Sequence, residues 1–340
     1  MKSKQPFAVA IFLATAVAAH SASPVPSRAT VLGIQGTEFT LNGAPTFLLG
    51  FSYYGALAAP GTAVRQDLDD AQRLGFNWLR VWATWRAFDH DISAVGADGA
   101  PKEPCLGKLK WLVAECDRRG LVVDVTLTRG ETLTNFAAHQ RAVETLVEAL
   151  HPHRNWYLDL ANEHDVHDAR YVSDAELKRL RDLVRQLDPA RLVTASFGGH
   201  DLTANDVSKA LLTIGLDFLA PHRPRTAQSP GETEGRTRTL RTLMQELGCA
   251  APIHYQEPFR RGYSGWEPRA EDFLNDLQGA RSGGAAGWCF HNGQQWDAAD
   301  KQPRRSFDLR NARLFDQLDA VEQKVVRQAE AGVKGRWEGL

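Results

Sequence analysis

A single (β/α)8 TIM barrel is the fold this sequence predicts, on three observations. Strand-like apolar runs begin near Thr46, Asn77, Leu121, Trp156, Leu192, Asp217, Ile253 and Ala285. Polar loops and amphipathic stretches separate them, so a strand–loop–helix unit recurs roughly every 25 to 44 residues without a repeated sequence motif. The first strand-to-helix turn, Phe51-Ser52-Tyr53-Tyr54-Gly55, is not the glycine-rich phosphate loop that the rival open doubly wound sheet usually places there. The chain has 340 residues, 43% of them hydrophobic, which suffices for one large core, and no second domain is legible.

In chain order, residues 1–23 read as a secretory signal. Lys2 and Lys4 form the positive end, and the apolar run from Phe7 to Ala19 is too short to span a membrane. A secreted or periplasmic protein with no membrane association after cleavage is expected. Residues 24–30 read as a flexible lead-in, and residues 31–340 as the barrel domain. Asn42-Gly43 between Phe39-Thr40-Leu41 and Thr46-Phe47-Leu48-Leu49 signals a short N-terminal β-hairpin leading into strand one, Phe47 to Phe51. Helices are expected from Asp67 to Leu74 and from Leu106 to Arg119, each stopped by a glycine. Ser173-x-x-Glu176 is a capping box opening a helix to Leu187. Two more helices are expected, Thr233 to Leu247 and Asn311 to Ala329. The polar stretch from Ala87 to Pro104 is long enough to wall a cleft.

The formal net charge of −1 argues against a nucleic-acid binder that works by counterion release. The four cysteines lack zinc-site spacing. Export permits disulfides; Cys105 and Cys116 are the nearest pair, while Cys289 reads as a buried thiol in a central strand.

In a barrel of this kind chemistry sits at the C-terminal strand ends. Strand one offers Tyr53 and Tyr54; strand two Arg80, Trp82 and Trp85; strand three Thr126, Thr128 and Arg129; strand four Asn162, Glu163 and His164. Strand five offers Ser196 and His200, strand six His222, strand seven Tyr255 and Glu257, strand eight Trp288 and His291. Glu163 and Glu257 are the sharp pair. Either alone reads as a solvated loop carboxylate, but two converging at one mouth provide an acid and a nucleophile for a glycosidic bond. Burial should raise one towards a working acid, while Arg80 should hold a carboxylate ionised. Asn162 is either a turn former or a donor to a sugar 2-hydroxyl. Trp288 is either the floor of a sugar site or core. His222 and His291 are either structural or partners of hydroxyls and of Glu257. His164 and His167 invite a metal reading, but their segment reads as a loop, so no metal and no cofactor are expected. Arg129, Arg223, Arg225, Arg260 and Arg261 fall in loops on the catalytic face, either as solvated charges or as contacts for an acidic sugar.

These strand ends resemble the retaining glycoside hydrolases of clan A, above all the cellulase- and mannanase-like enzymes of glycoside hydrolase family 5. The resemblance rests on Phe39-Thr40-Leu41-Asn42-Gly43, Gly75-Phe76-Asn77-Trp78-Leu79-Arg80-Val81, Asn162-Glu163, Glu257 and Trp288. It implies Glu163 as acid/base and Glu257 as nucleophile, with Arg80 and Asn162 supporting the nucleophile and the sugar. Tyr53, Trp82, His222, Tyr255, Trp288 and His291 complete the expected substrate site, and the partner is an oligo- or polysaccharide. The chain departs from the family pattern after strand three, where Thr126-Leu127-Thr128 replaces Asp-x-His. It departs again after strand six, where His222-Arg223-Pro224 lacks the tyrosine that contacts the nucleophile; Tyr255 or Tyr53 would have to substitute. A non-catalytic glycan-binding barrel and a metal-dependent sugar isomerase or lyase are the alternatives.

Overall fold

The computed structural model describes Met1 and residues 29–87, 90–130, 132–261, 266–291 and 307–334. The expected signal, residues 1–23, lies outside the described residues apart from Met1, as do residues 24–28 of the lead-in. No helix among the described residues is long and apolar enough to cross a membrane.

Eight barrel strands are present, each beginning within three residues of its expected start. They are one (Leu48–Ser52), two (Trp78–Trp82), three (Val122–Thr126), four (Trp156–Asp159), five (Val193–Thr194 and then Ser196–Phe197), six (Ala220–Pro221), seven (His254–Tyr255) and eight (Gly287–Phe290). One parallel seven-stranded sheet runs five, four, three, two, one, eight, seven. The second piece of strand five pairs with strand six, and a parallel bridge from Leu219 to Ile253 joins six to seven. The ring is thereby closed, so every strand has a partner on both sides and no edge is left.

Side chains alternate across each strand, which divides the core in two. Leu48, Trp78, Val122, Tyr157 and Cys289 fill the barrel interior. Leu49, Phe51, Leu79, Val81, Val123, Val125 and Leu158 face outward and pack beneath the helices. The interior is sealed from below by an N-terminal sheet of three antiparallel strands, Leu32–Gln35, Glu38–Leu41 and Ala44–Thr46. The expected hairpin is the second half of this sheet. Asn42 (φ 53°) and Gly43 (φ 84°) make its two-residue turn, and both angles lie where a type I′ turn needs them. Phe39 from this sheet meets Phe218 edge-on at 5.0 Å across the barrel bottom. The lead-in is tied down at its end: Thr30 is buried, its amide donates to Asp117 Oδ1 at 2.7 Å and its hydroxyl to the Asp117 carbonyl at 2.8 Å.

Helices Gly61–Arg73, Cys105–Asp117, Phe136–Leu150, Asp174–Leu187, Ser229–Glu246 and Ala270–Gly283 surround the barrel. The Ser173–Glu176 capping box forms as expected. The expected final helix is instead two, Leu314–Gln317 and Ala320–Lys334. Asp319 interrupts it, exchanging backbone-to-carboxylate bonds of 3.0 Å with Glu322 and so capping the second segment. A Cys105–Cys116 disulfide is excluded. All four cysteines are free, and these two sit on one helix, separated by eleven residues or about 16 Å of rise, far beyond disulfide reach. Gly99 in the Ala87–Pro104 stretch presses onto the first turns of helix Phe136–Leu150; a Cβ there would stand 2.1 Å from the Ala138 carbonyl.

Candidate active site

The barrel mouth is organised around a buried cation. Strand two turns Arg80 inward, where it is fully buried and donates to Asp159 Oδ2 at 2.9 Å, Asn162 Oδ1 at 3.0 Å, Thr126 Oγ1 at 3.1 Å and Glu257 Oε1. Asp124 Oδ2 lies 3.3 Å from its Nε. A charge taken this far from water requires such partners. Strand three, which lacks the expected Asp-x-His, thus supplies a hydroxyl and an acid to Arg80. Burial pushes Asp124 up to about 8 against the pull of Arg80.

Glu163 follows strand four with φ 48°, and Asn42 is the only other non-glycine residue at positive φ among the described residues. Such a conformation costs roughly 1–3 kcal/mol and persists where surroundings over-determine it. Here strand five holds it: the Glu163 amide donates to Ser196 Oγ and the His164 amide to the Ser196 carbonyl, each at 3.1 Å. The turn throws the Glu163 carboxylate over the mouth. His222 Nδ1 lies 3.2 Å from its Oε1 and 3.7 Å from Glu257 Oε2. Arg225 bridges the same two carboxylates, at 3.4 Å to Glu163 and 2.8 Å to Glu257. Arg170 pairs with Glu163 from the loop after strand four, and Asp168 grips its other edge at 2.8 Å.

These cations decide both protonation states. Burial raises the Glu163 pKa, but the hydrogen bond and charge of His222, with Arg225, outweigh it and hold the carboxyl at about 2. The expectation that burial leaves a raised, protonated acid therefore fails, because strand six brings His222 against the carboxylate and the loop after it adds Arg225. Glu257 is likewise held well below the carboxylate range: burial opposes this, and His291, His222, Arg80 and Arg225 prevail. Burial keeps His291 well below its ordinary value; its Nδ1 is 3.0 Å from Ser52 Oγ and its Nε2 3.4 Å from Glu257 Oε2.

The structure brings Arg80, Trp82, Asn162, Glu163, His222, Glu257 and His291 together, and excludes Tyr53, Tyr255 and Trp288. Tyr53 donates to Asp67 Oδ2 at 2.7 Å, the Tyr255 hydroxyl lies 2.7 Å from Thr237 Oγ1, and Trp288 Nε1 donates to Asp276 Oδ2 at 2.7 Å. Each is the outward member of its strand and anchors the helix lying over it. Tyr54, one step on in strand-one alternation, faces inward and donates to Glu257 Oε1 at 3.0 Å. It takes the role for which Tyr53 or Tyr255 was expected, and counting parity from the inward-facing Ser52 would have found it. Arg170 carries no sequence signal beyond lying in the same loop as Glu163.

The cleft above these groups has a volume of about 570 Å³. An aromatic wall comes from strands one and two: Tyr54 stacks on Trp85 at 4.7 Å, and Trp82 meets Trp85 edge-on at 4.9 Å. Trp82 Nε1 is buried without a hydrogen-bond partner. Glu163, His222 and Glu257 offer three ligand atoms within 4.8 Å of one another. Arg80, Arg170 and Arg225 already neutralise these carboxylates, so a divalent cation would have to enter against three guanidinium groups. His164 and His167 diverge, one packing on Phe197 and the other on Tyr171.

No family model matches the chain, and no curated protein matches it by sequence. Solved structures do. An endo-1,4-beta-mannanase from Rhizomucor miehei superposes with TM-score 0.62 at 13% identity, covering 89% of this chain and 99% of that one. A glycoside hydrolase family 5 protein from Bacteroides vulgatus gives TM-score 0.63 at 15% identity over 88% and 70%. The beta-mannanase of the blue mussel Mytilus edulis gives 0.54 at 14% over 89% and 97%. The fold is that of the family 5 glycoside hydrolase barrels.

The outward tryptophan permits a stability test. Burial pushes Asp276 up to about 6 although Thr233 and Trp288 donate to it. Its folded pKa exceeds the unfolded one near 3.8, so its favourable contribution is complete below that value and is lost as pH rises towards about 6. Asp276→Asn should therefore gain on the wild type by about 3 kcal/mol between pH 4 and 7 in urea denaturation. A pH-independent difference would refute the assignment.

Proposed function

We propose that the protein is an exported glycoside hydrolase that cleaves β-linked glycans by double displacement, with Glu163 as acid/base and Glu257 as nucleophile, and that residues 31–340 form its catalytic domain. The observation that carries this reading is the pair of carboxylates from strands four and seven. Their nearest oxygens lie within 4.8 Å of one another, in keeping with the separation of about 5–5.5 Å typical of retaining enzymes rather than 6.5–9.5 Å for inverting ones. Support also comes from the shared fold, since the solved structures that match are described as mannanases and mannosidases.

In this mechanism Glu257 attacks the anomeric carbon, in line with the cations that keep it ionised, while Glu163 gives its proton to the departing oxygen. Water, deprotonated by Glu163, then releases the sugar from Glu257. Asn162, its Oδ1 held by Arg80, is left with an amide N–H to meet the sugar 2-hydroxyl. The wall of Tyr54, Trp82 and Trp85 stacks on sugar faces.

The test is a screen of polysaccharides and aryl glycosides with the product anomer followed by NMR. Retention is expected; inversion would sink the assignment of Glu257, and glycan binding without cleavage would favour a carbohydrate-binding barrel. Activity lost to a chelator would favour the metal-dependent alternative. Because His222 and Arg225 hold the Glu163 carboxyl at about 2, only a small fraction is protonated at neutral pH. The value of kcat/KM on oligosaccharides should thus climb about tenfold for each pH unit of acidification above pH 5. With a dinitrophenyl leaving group, which needs no proton, that slope should vanish.

A further inference from the structure

We propose that the substrate carries an anionic substituent, a uronate carboxylate or a sulfate ester, recognised by guanidinium groups of Arg86, Arg170, Arg225 and Arg260; this rests on the reading of the cleft as a glycoside hydrolase site. Among the described residues, those four arginines line the cleft against two carboxylates, Glu163 and Glu257. The chain as a whole has a formal net charge of −1, so this excess of positive charge is local to the cleft.

Three other arginines of this face meet acids that do not line the cleft. Arg129 pairs with Glu176, Arg223 with Asp201, and Arg261 with Glu267 and Asp319. Arg80 is consumed by Asp124, Asp159 and Glu257. The lining set differs in what it faces. Arg225 lies across the two carboxylates at which the bond is cut, at 2.8 and 3.4 Å. Arg170 is held in place by Asp168 at 2.8–3.1 Å while its other edge reaches Glu163. Arg86 stands exposed on the rim beside Trp85.

A neutral sugar offers hydroxyls, which need no permanent cation. A carboxylate or sulfate matches the guanidinium fork with two parallel hydrogen bonds. A cleft lined, among the described residues, by more cations than anions also concentrates such substrates by its field. An entering anion competes with Glu163 for Arg170 and Arg225, while His222 and Glu257 stay in place. Its arrival draws Arg225 from Glu163 and so removes one of the charges that hold that carboxyl low.

The experiment uses the full-length protein and matched pairs of substrates: uronate-containing oligosaccharides with their carboxyl-reduced counterparts, and sulfated glycans with their desulfated ones. The charged member of one pair is expected to show kcat/KM higher by about tenfold or more, and the advantage should shrink with added salt. The pair that shows it identifies the substituent. Arg260→Gln should erase most of the preference through KM; should that variant fail to fold, Arg86→Gln on the exposed rim carries the same test. Equal or faster cleavage of the neutral members overturns this proposal and leaves the hydrolase reading standing. Binding of a charged member to Glu257→Gln without cleavage by the wild type keeps this proposal and overturns the hydrolase reading. Neither cleavage nor binding of any member overturns both.

Discussion

Replacing Glu257 with alanine is expected to lower kcat by a factor on the order of 10⁴–10⁶, as removal of an enzymatic nucleophile does elsewhere. The variant should fold, because Arg80 keeps Asp124 and Asp159 as partners at 3.3 and 2.9 Å. It should also be rescued by azide. The small anion fits the space the carboxylate leaves beside Arg225 and Tyr54, which donate to it in the wild type at 2.8 and 3.0 Å. Attack by azide from that side gives a glycosyl azide of inverted configuration, with Glu163 still protonating the leaving group. Product analysis by NMR checks this. Unchanged turnover in Glu257→Ala would end the nucleophile assignment, and an inverted glycosyl azide from Glu163→Ala, with a retained one from Glu257→Ala, would exchange the two roles.

The second large effect falls on stability. Arg80→Met leaves three buried carboxylates, Asp124, Asp159 and Glu257, without their shared cation. Breaking a buried ion pair from one side costs about 3–5 kcal/mol. The cost should depend on pH, and its sign follows from the carboxyls. In the wild type Arg80 helps hold Glu257 far below its ordinary value and opposes the rise of Asp124. Without it Asp124 rises further and Glu257 loses part of its depression, so the variant loses stability relative to the wild type as pH rises above about 4. Urea denaturation at pH 4.5 and 7.5 should show the larger deficit at pH 7.5. Arg80→Lys should recover only part of it, since a point charge cannot reach several acids through one planar fork. Equal deficits at both pH values would mean that Arg80 acts through packing alone.

The barrel was largely legible because its signals are local. Each strand is a short apolar run between polar loops, and each of its expected starts lies within three residues of the observed one. The Asn42-Gly43 turn and the Ser173 capping box are likewise written in neighbouring residues. The final helix was less so: its break comes from a carboxylate at Asp319 that competes with the helix continuing through it. The cysteine pairing, left open by the sequence, is decided by the fold, since nearness in sequence along a helix is distance in space.

The site divides along another line. Glu163, Glu257, Arg80 and Asn162 could be read from strand ends because a closed barrel gathers those ends at one mouth, whatever the details. Which neighbours face the mouth depends on strand parity, and a one-residue step exchanges core for site. Tyr53, Tyr255 and Trp288 fell on the wrong side of that step and Tyr54 on the right one. The electrostatics lay beyond sequence altogether. Burial alone argued for a raised Glu163, but the hydrogen bond and charge of His222 after strand six, with Arg225 from the loop beyond it, reverse it. Periodicity and strand order act along the chain, so the chain states them. Charge acts through space at a few ångströms, so only the folded barrel decides which carboxylate each arginine meets.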